Sequence, residues 1–201
     1  MAIVVVGGST KDIGKTALVC AVISGLSEFG WTAVKITGHS YQPEAALQRQ
    51  STEHTGPIIC EETVAGQETD TARYLAAGAR RALLVTRCGE EMPIDEIREA
   101  LKEDRNIIFE SNRIVDVVKP DVCLALVGGQ GTERKASFLR LLRKANAVVS
   151  VETVKLELGE LPPGIPRFEL QSLDRLTPEL VNWLRSRLDQ LDCAAGPHRN
   201  A

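Results

Sequence analysis

No cluster of lysines and arginines stands out in this chain of 201 residues: 24 basic side chains are interspersed with 27 acidic ones, for a formal net charge of -3. Binding a nucleic-acid backbone takes a concentrated basic face, so nucleic acid is not expected as a partner. Long apolar runs are missing as well. A membrane-spanning helix needs about 20 consecutive apolar residues, and nothing in the chain approaches that, so membrane insertion is not expected. The five cysteines, Cys20, Cys60, Cys88, Cys123 and Cys193, are odd in number and never spaced C-x-x-C. The usual zinc and redox motifs are thereby excluded, and a reducing, cytoplasmic setting is expected. The opening MAIVVVGG lacks a charged leader, and it reads as a buried strand, not a signal peptide. Internal repeats are absent too.

What remains is an ordinary globular composition, 43% hydrophobic and 25% charged, enough for one well-buried core. Short apolar runs alternate with amphipathic ones. Strands are expected at 2–6, 31–37, 81–86, 106–110, 121–127 and 147–151, several of them continuously apolar, as strands buried on both faces are. Helical spacing follows the first strand (Leu18, Val22, Leu26, Phe29, with Gly30 as the C-terminal cap) and recurs at 70–79, at 93–103, around Phe138, Leu141, Leu142 and Ala145, and from Thr177-Pro178 to Leu191. This repeated β-α order predicts an α/β domain over residues 1–191, a mostly parallel central sheet flanked by helices in three layers. Residues 192–201 are expected to form a flexible tail. Two segments break the rhythm. Residues 38–69 are polar and glycine-bearing, a long connection where a partner or small anionic substrate is expected to sit. Residues 159–167, GELPPGIPR, are too rich in proline and glycine for regular structure and lead to a peripheral strand at 167–170.

The stretch VVVGGSTKDIGKT, residues 4–16, carries the chemistry. A polyphosphate is held by backbone N–H groups curled around it, by the positive end of a helix, and by a lysine reaching its outer phosphates. Small residues, a lysine at the helix start and a neighbouring hydroxyl for Mg²⁺ are what such a cradle requires, and Gly7, Gly8, Ser9, Gly14, Lys15 and Thr16 provide them between an apolar strand and a helix. The contacting residues are expected to be Gly8, Ser9, Thr10, Lys11, Asp12, Ile13, Gly14, Lys15, Thr16 and Ala17. Counted from Gly8, however, the loop reads G-x-x-x-x-x-G-K-T, one residue longer than the usual G-x-x-x-x-G-K-[S/T].

The lengthened loop GSTKDIGKT resembles that of dethiobiotin synthetase, a P-loop enzyme. A second resemblance reaches further. The segment from Gly66 to Ala79, with Thr69, Asp70, Thr71, Arg73 and Ala77-Gly78-Ala79 leading into RALLVT, is similar to the G-K-D-[S/T]-x-R…A-G-A segment of the molybdopterin-guanine dinucleotide biosynthesis protein B family. Lys35 and His39 resemble its I-K-H stretch, and Glu110 in NIIFESN stands where its V-E-G glutamate would be; Gln67 and Ser111 depart from the pattern. This likeness covers residues 1–127. It implies the P-loop NTPase fold and a nucleotide-dependent adaptor in cofactor biosynthesis. The first resemblance implies instead an ATP-dependent ligase that phosphorylates a substrate carboxylate or carbamate.

Mg²⁺ in such sites takes a hydroxyl, one or two carboxylates, waters and phosphate oxygens. Thr16, Asp70 and Glu110 are the expected metal ligands, with Asp70 equally suited to capping its helix. Lys15, Lys11, Lys35 and Glu110 are the expected catalytic residues, and the cofactors are Mg²⁺ with ATP or GTP. Water, a carboxylate and a hydroxyl all remain open as the nucleophile. His39 and His54 flank the long connection, and Arg113 and the turn 128–135 follow strand ends on the same expected edge. A guanine-reading [N/T]-K-x-D is absent after the late strands, against a signalling GTPase, and a homodimer is consistent with the P-loop resemblance.

Overall fold

The computed structural model describes residues 1–38, 58–86, 91–128, 135–151 and 164–194. In chain order the elements are β1 (Ala2–Gly8), α1 (Lys15–Gly25), β2 (Thr32–Ile36), β3 (Ile58–Glu62), α2 (Asp70–Ala76), β4 (Arg81–Thr86), α3 (Ile94–Ala100), β5 (Asn106–Glu110), β6 (Val122–Leu126), α4 (Ala136–Leu142), β7 (Ala147–Ser150), β8 (Arg167–Glu169) and α5 (Pro178–Ala194). They build one sheet in the order β3-β4-β2-β5-β1-β6-β7-β8. Every pairing is parallel except β3 with β4.

Alternation along the strands divides the core in two. Val4, Val6, Ile108, Val122, Leu124 and Leu126 face one layer with Leu18 and Val22 of α1, Tyr74 of α2 and Leu180, Leu184 and Leu188 of α5. Val5, Ile107, Phe109, Cys123 and Ala125 face the other, with Ile97 of α3 and Phe138 and Leu141 of α4. The result is the expected three-layer, mostly parallel α/β arrangement. The N-terminal edge of the sheet is tied by Asp104, whose carboxylate accepts from Thr32 Oγ1 at 2.6 Å, Arg80 Nη2 at 2.7 Å and Arg81 Nη1 at 2.6 Å. Such a buried carboxylate persists because both of its oxygens are hydrogen-bonded and two guanidinium groups balance its charge.

Register then sets the site. Val6 of β1 lies beside Glu110 of β5, and Glu110 beside Lys35 of β2. In-register neighbours point to the same face, so Glu110 and Lys35 share the face of Val6, toward α1 and α2, at the carboxyl end of their strands. That is the edge where open α/β sheets bind ligands.

Three sequence expectations need correction. The segment 38–69 is not irregular throughout, because Ile58–Glu62 forms an antiparallel edge strand; its two isoleucines, followed by Cys60 and two glutamates, are too few to read as a strand. Gly30 (φ 61°) closes a 3₁₀ turn over Ser27–Phe29 and not α1, which ends at Gly25. Asp70 does not cap α2. Thr69 does, its Oγ1 accepting from the Ala72 N–H at 3.0 Å, which leaves Asp70 in the first turn.

Candidate functional site

The β1-α1 loop is pinned at its entry by backbone and side chain together. The Gly8 N–H donates to Asn112 Oδ1 at 2.8 Å, and Asn112 Nδ2 donates back to the Gly8 carbonyl at 2.9 Å. Ser9 N–H continues the ladder to the Leu126 carbonyl at 3.0 Å, and Ser9 Oγ reaches the Gly128 carbonyl at 3.3 Å. The close approach needs glycine: a Cβ on Gly7 would lie 2.2 Å from Leu141 Cδ1 and 2.6 Å from Asn112 Oδ1. The chain then turns through Asp12 (φ 58°) and Gly14 (φ 96°), both left-handed, the conformation for which glycine has no steric penalty.

Across this turn Lys15 folds back, its Nζ donating to the Thr10 carbonyl at 3.1 Å. The loop with its extra residue thus still closes on the lysine. Burial lowers the Lys15 pKa below 10.5 despite the counteracting charge of Glu110, with the neighbouring Lys35 lowering it further. A desolvated ammonium in this position gains from an added anion. The first amides of a helix have no intrahelical acceptor and carry the positive end of its dipole; here those amides are Gly14 to Ala17, at the loop's exit.

Beneath the loop lies a carboxylate network. Thr16 Oγ1 donates to Glu110 Oε2 at 2.7 Å, Tyr74 OH donates to the same oxygen, and Lys35 Nζ donates to Oε1. Lys35 Nζ also pairs with Asp70 Oδ2 at 2.9 Å, so one ammonium joins the two carboxylates. Burial alone would lower the Lys35 pKa, but Glu110 and Asp70 outweigh it and hold the value above 10.5. Asp70 shows the converse. Burial would raise it, yet the charge and hydrogen bond of Lys35 outweigh that and bring it below 3.8.

Of the residues singled out from sequence, the structure brings together Lys15, Thr16, Lys35, Asp70 and Glu110. Lys11 and Asp12 are exposed on the loop. Ser111, where the resembled family has glycine, is buried and accepts the N–H groups of Arg113 and Ile114, at 3.1 and 3.3 Å. Arg113 lines a separate 370 Å³ cleft with Met92, Asp116 and Arg140. His39, His54, Cys88 and residues 129–134 lie outside the described residues. Burial pushes the Cys20 thiol up to about 11 and that of Cys123 to about 12, so neither is a thiolate near neutral pH. Sequence reading missed Asn112 and Tyr74. Both left a signal: asparagine just past a strand end is a residue type that mimics backbone hydrogen bonding, and Tyr74 stands four residues after Asp70 on the same helix face.

No known family and no curated protein matches the chain by sequence. Among solved structures, LpxK from Aquifex aeolicus, described in complex with ATP, is 18% identical with a TM-score of 0.50 over 83% of this chain and 53% of its own length. The two share an α/β fold, a mostly parallel sheet flanked by helices. This chain therefore spans about half the length of that protein. A MobB homolog from Bacillus stearothermophilus is 18% identical over 94% of this chain and 99% of its own, with a TM-score of 0.46. Bacillus subtilis MobB is 16% identical over 93% and 98%, with a TM-score of 0.47. Among the described residues no helix is long and apolar enough to cross a membrane.

Proposed function

We propose that the chain binds a purine nucleoside triphosphate, ATP or GTP, with Mg²⁺ at the β1-α1 loop and hydrolyses it slowly. The observation that carries this reading is the Lys15 ammonium closed over the loop, directly above a Thr16-Glu110-Lys35-Asp70 network that the sheet register assembles at one edge. Free amides at the helix start hold the phosphates, Lys15 neutralises them, and Lys35 adds a second cation beside them. Because so little covalent chemistry is asked of the protein, positioning and charge stabilisation account for the rate.

The metal fits the donors. Among the described residues there is no cluster of three or more histidine, cysteine, aspartate and glutamate side chains of the kind that encloses a metal. The hydroxyl of Thr16 and the carboxylates of Asp70 and Glu110 form an all-oxygen set of the sort that Mg²⁺ takes alongside phosphates and waters. Their carboxylates already gather around a positive charge, that of Lys35. Mg²⁺ would be held by Thr16 with Asp70 or Glu110, where it would neutralise charge on the outer phosphates.

The Asp70 segment and its similarity to the molybdopterin-guanine dinucleotide biosynthesis protein B family support a nucleotide-dependent adaptor in cofactor assembly. Free thiols at Cys20, Cys60 and Cys123 support a cytoplasmic setting. The lengthened loop supports a second reading, an ATP-dependent ligase acting on a carboxylate or carbamate; turnover stimulated by a small carboxylate or a diamine with CO₂ would select it. For the main reading the test is Glu110→Gln. Phosphate release is expected to fall about 100-fold while triphosphate affinity changes little, and an undiminished rate would remove Glu110 from the site.

A further inference from the structure

One donor to Glu110 is unused by this reading. Tyr74 is 0% exposed, packed in the core layer between α2 and the sheet, yet its O–H donates to Glu110 Oε2. A buried hydroxyl must find a partner, and phenylalanine would fill the same volume without needing one. The hydroxyl is therefore not explained by packing.

The three donors to this carboxylate differ in freedom. Thr16 is the group expected to turn toward a metal, and Lys35, 18% exposed, is shared with Asp70. Tyr74 is enclosed on all sides and has nowhere else to go. Its helix is anchored as well: Glu62, buried at the end of β3, accepts from Thr69 Oγ1 at 3.1 Å and Thr71 Oγ1 at 3.2 Å, and from the N–H groups of Thr63 and Val64. The edge strand thereby fixes the first turn of α2, which carries Asp70, with Tyr74 one turn further on.

We propose that Tyr74 is a positioning residue for the hydrolysis inferred above, its buried O–H holding the Glu110 carboxylate in one orientation while Thr16 and Lys35 engage metal and phosphate. This rests on the nucleotide reading of the site.

Tyr74→Phe in the full chain tests it, with Lys15→Ala alongside. The expected result is a folded protein whose metal-free triphosphate affinity stays within about threefold of wild type, whose kcat for phosphate release falls about tenfold at little-changed KM, and whose Mg²⁺ midpoint for tightening that affinity rises. A purely structural tyrosine would lower the melting temperature and leave the Mg²⁺ midpoint alone. A folded Tyr74→Phe with wild-type kcat and Mg²⁺ midpoint overturns the proposal. If instead Lys15→Ala binds triphosphate like wild type, the nucleotide reading itself has failed.

A second measurement needs no variant at Tyr74. The chain has two tyrosines, Tyr41 and Tyr74, so ¹³Cζ-tyrosine labelling gives two resonances that Tyr41→Phe assigns. The Tyr74 signal is expected to keep its hydrogen-bonded position when Mg²⁺ and a non-hydrolysable ATP analogue are added. Movement to the value of a phenol without an acceptor overturns the proposal.

Discussion

Asn112→Ala would remove both hydrogen bonds that close the entry of the phosphate loop, the 2.8 Å bond from the Gly8 amide and the 2.9 Å bond to its carbonyl. A typical intramolecular hydrogen bond contributes about 1 kcal/mol net, and a buried amide left without an acceptor costs roughly 1 to 3 kcal/mol. Gly8 is buried, and the space vacated by Asn112 lies against Gly7 and Leu141, where solvent is a poor replacement. The expected destabilisation is about 2 to 3 kcal/mol. For a chain of this size, roughly 2 to 4 °C of melting temperature accompany each kcal/mol, so the melting point should fall by about 4 to 12 °C. Loosening of the loop should weaken nucleotide binding too, because the ordering that Asn112 provides in advance must then be supplied on binding. Thermal melts of wild type, Asn112→Ala and Asn112→Asp, with and without Mg²⁺ and nucleotide, measure both effects. Asn112→Asp retains the acceptor for the Gly8 amide but sets an oxygen against the Gly8 carbonyl, and should do no better than alanine. A melting temperature within 1 °C of wild type for Asn112→Ala, with the same nucleotide-induced rise, would refute the pinning role.

Two further outcomes are expected. Leu184→Ala, at a fully buried position where α5 meets the sheet, should lower stability in urea unfolding by about 3 kcal/mol, within the usual range for emptying a leucine site. Glu61 is held below 4.5, first by its hydrogen bond from Arg81, against a smaller opposing effect of burial. Its stabilising contribution is present above pH 4.5 and is lost as the pH falls through the lower folded value. The stability gap between wild type and Glu61→Gln should therefore shrink on acidification through that window, and a gap that widens would contradict the assignment.

The order of strands and helices was legible because strands buried on both faces show as continuous apolar runs and helices as spaced leucines. The edge strand β3 was not, because its last two residues, Glu61 and the buried Glu62, are acidic and only Ile58 and Ile59 mark it. At the site, Lys15 and Thr16 were readable from local motif alone. Lys35, Asp70 and Glu110 were readable as residues at strand or helix ends, but their union through one ammonium depends on β2 lying beside β5, which no local pattern encodes. The capping of α2 was left open at Asp70 because Thr69 and Asp70 are both good cap formers and adjacent, and the buried Glu62 draws Thr69 into that role. Asn112 and Tyr74 escaped notice because each acts on a residue distant in sequence, Gly8 and Glu110.

The most direct test of the phosphate cradle is the dissociation constant of ATP and of GTP, in Mg²⁺, for wild type against Lys15→Ala. Loss of the ammonium that spans the loop should weaken triphosphate binding at least about 100-fold, close to 3 kcal/mol. Affinity in Lys15→Ala equal to that of wild type would mean that the loop does not hold a polyphosphate.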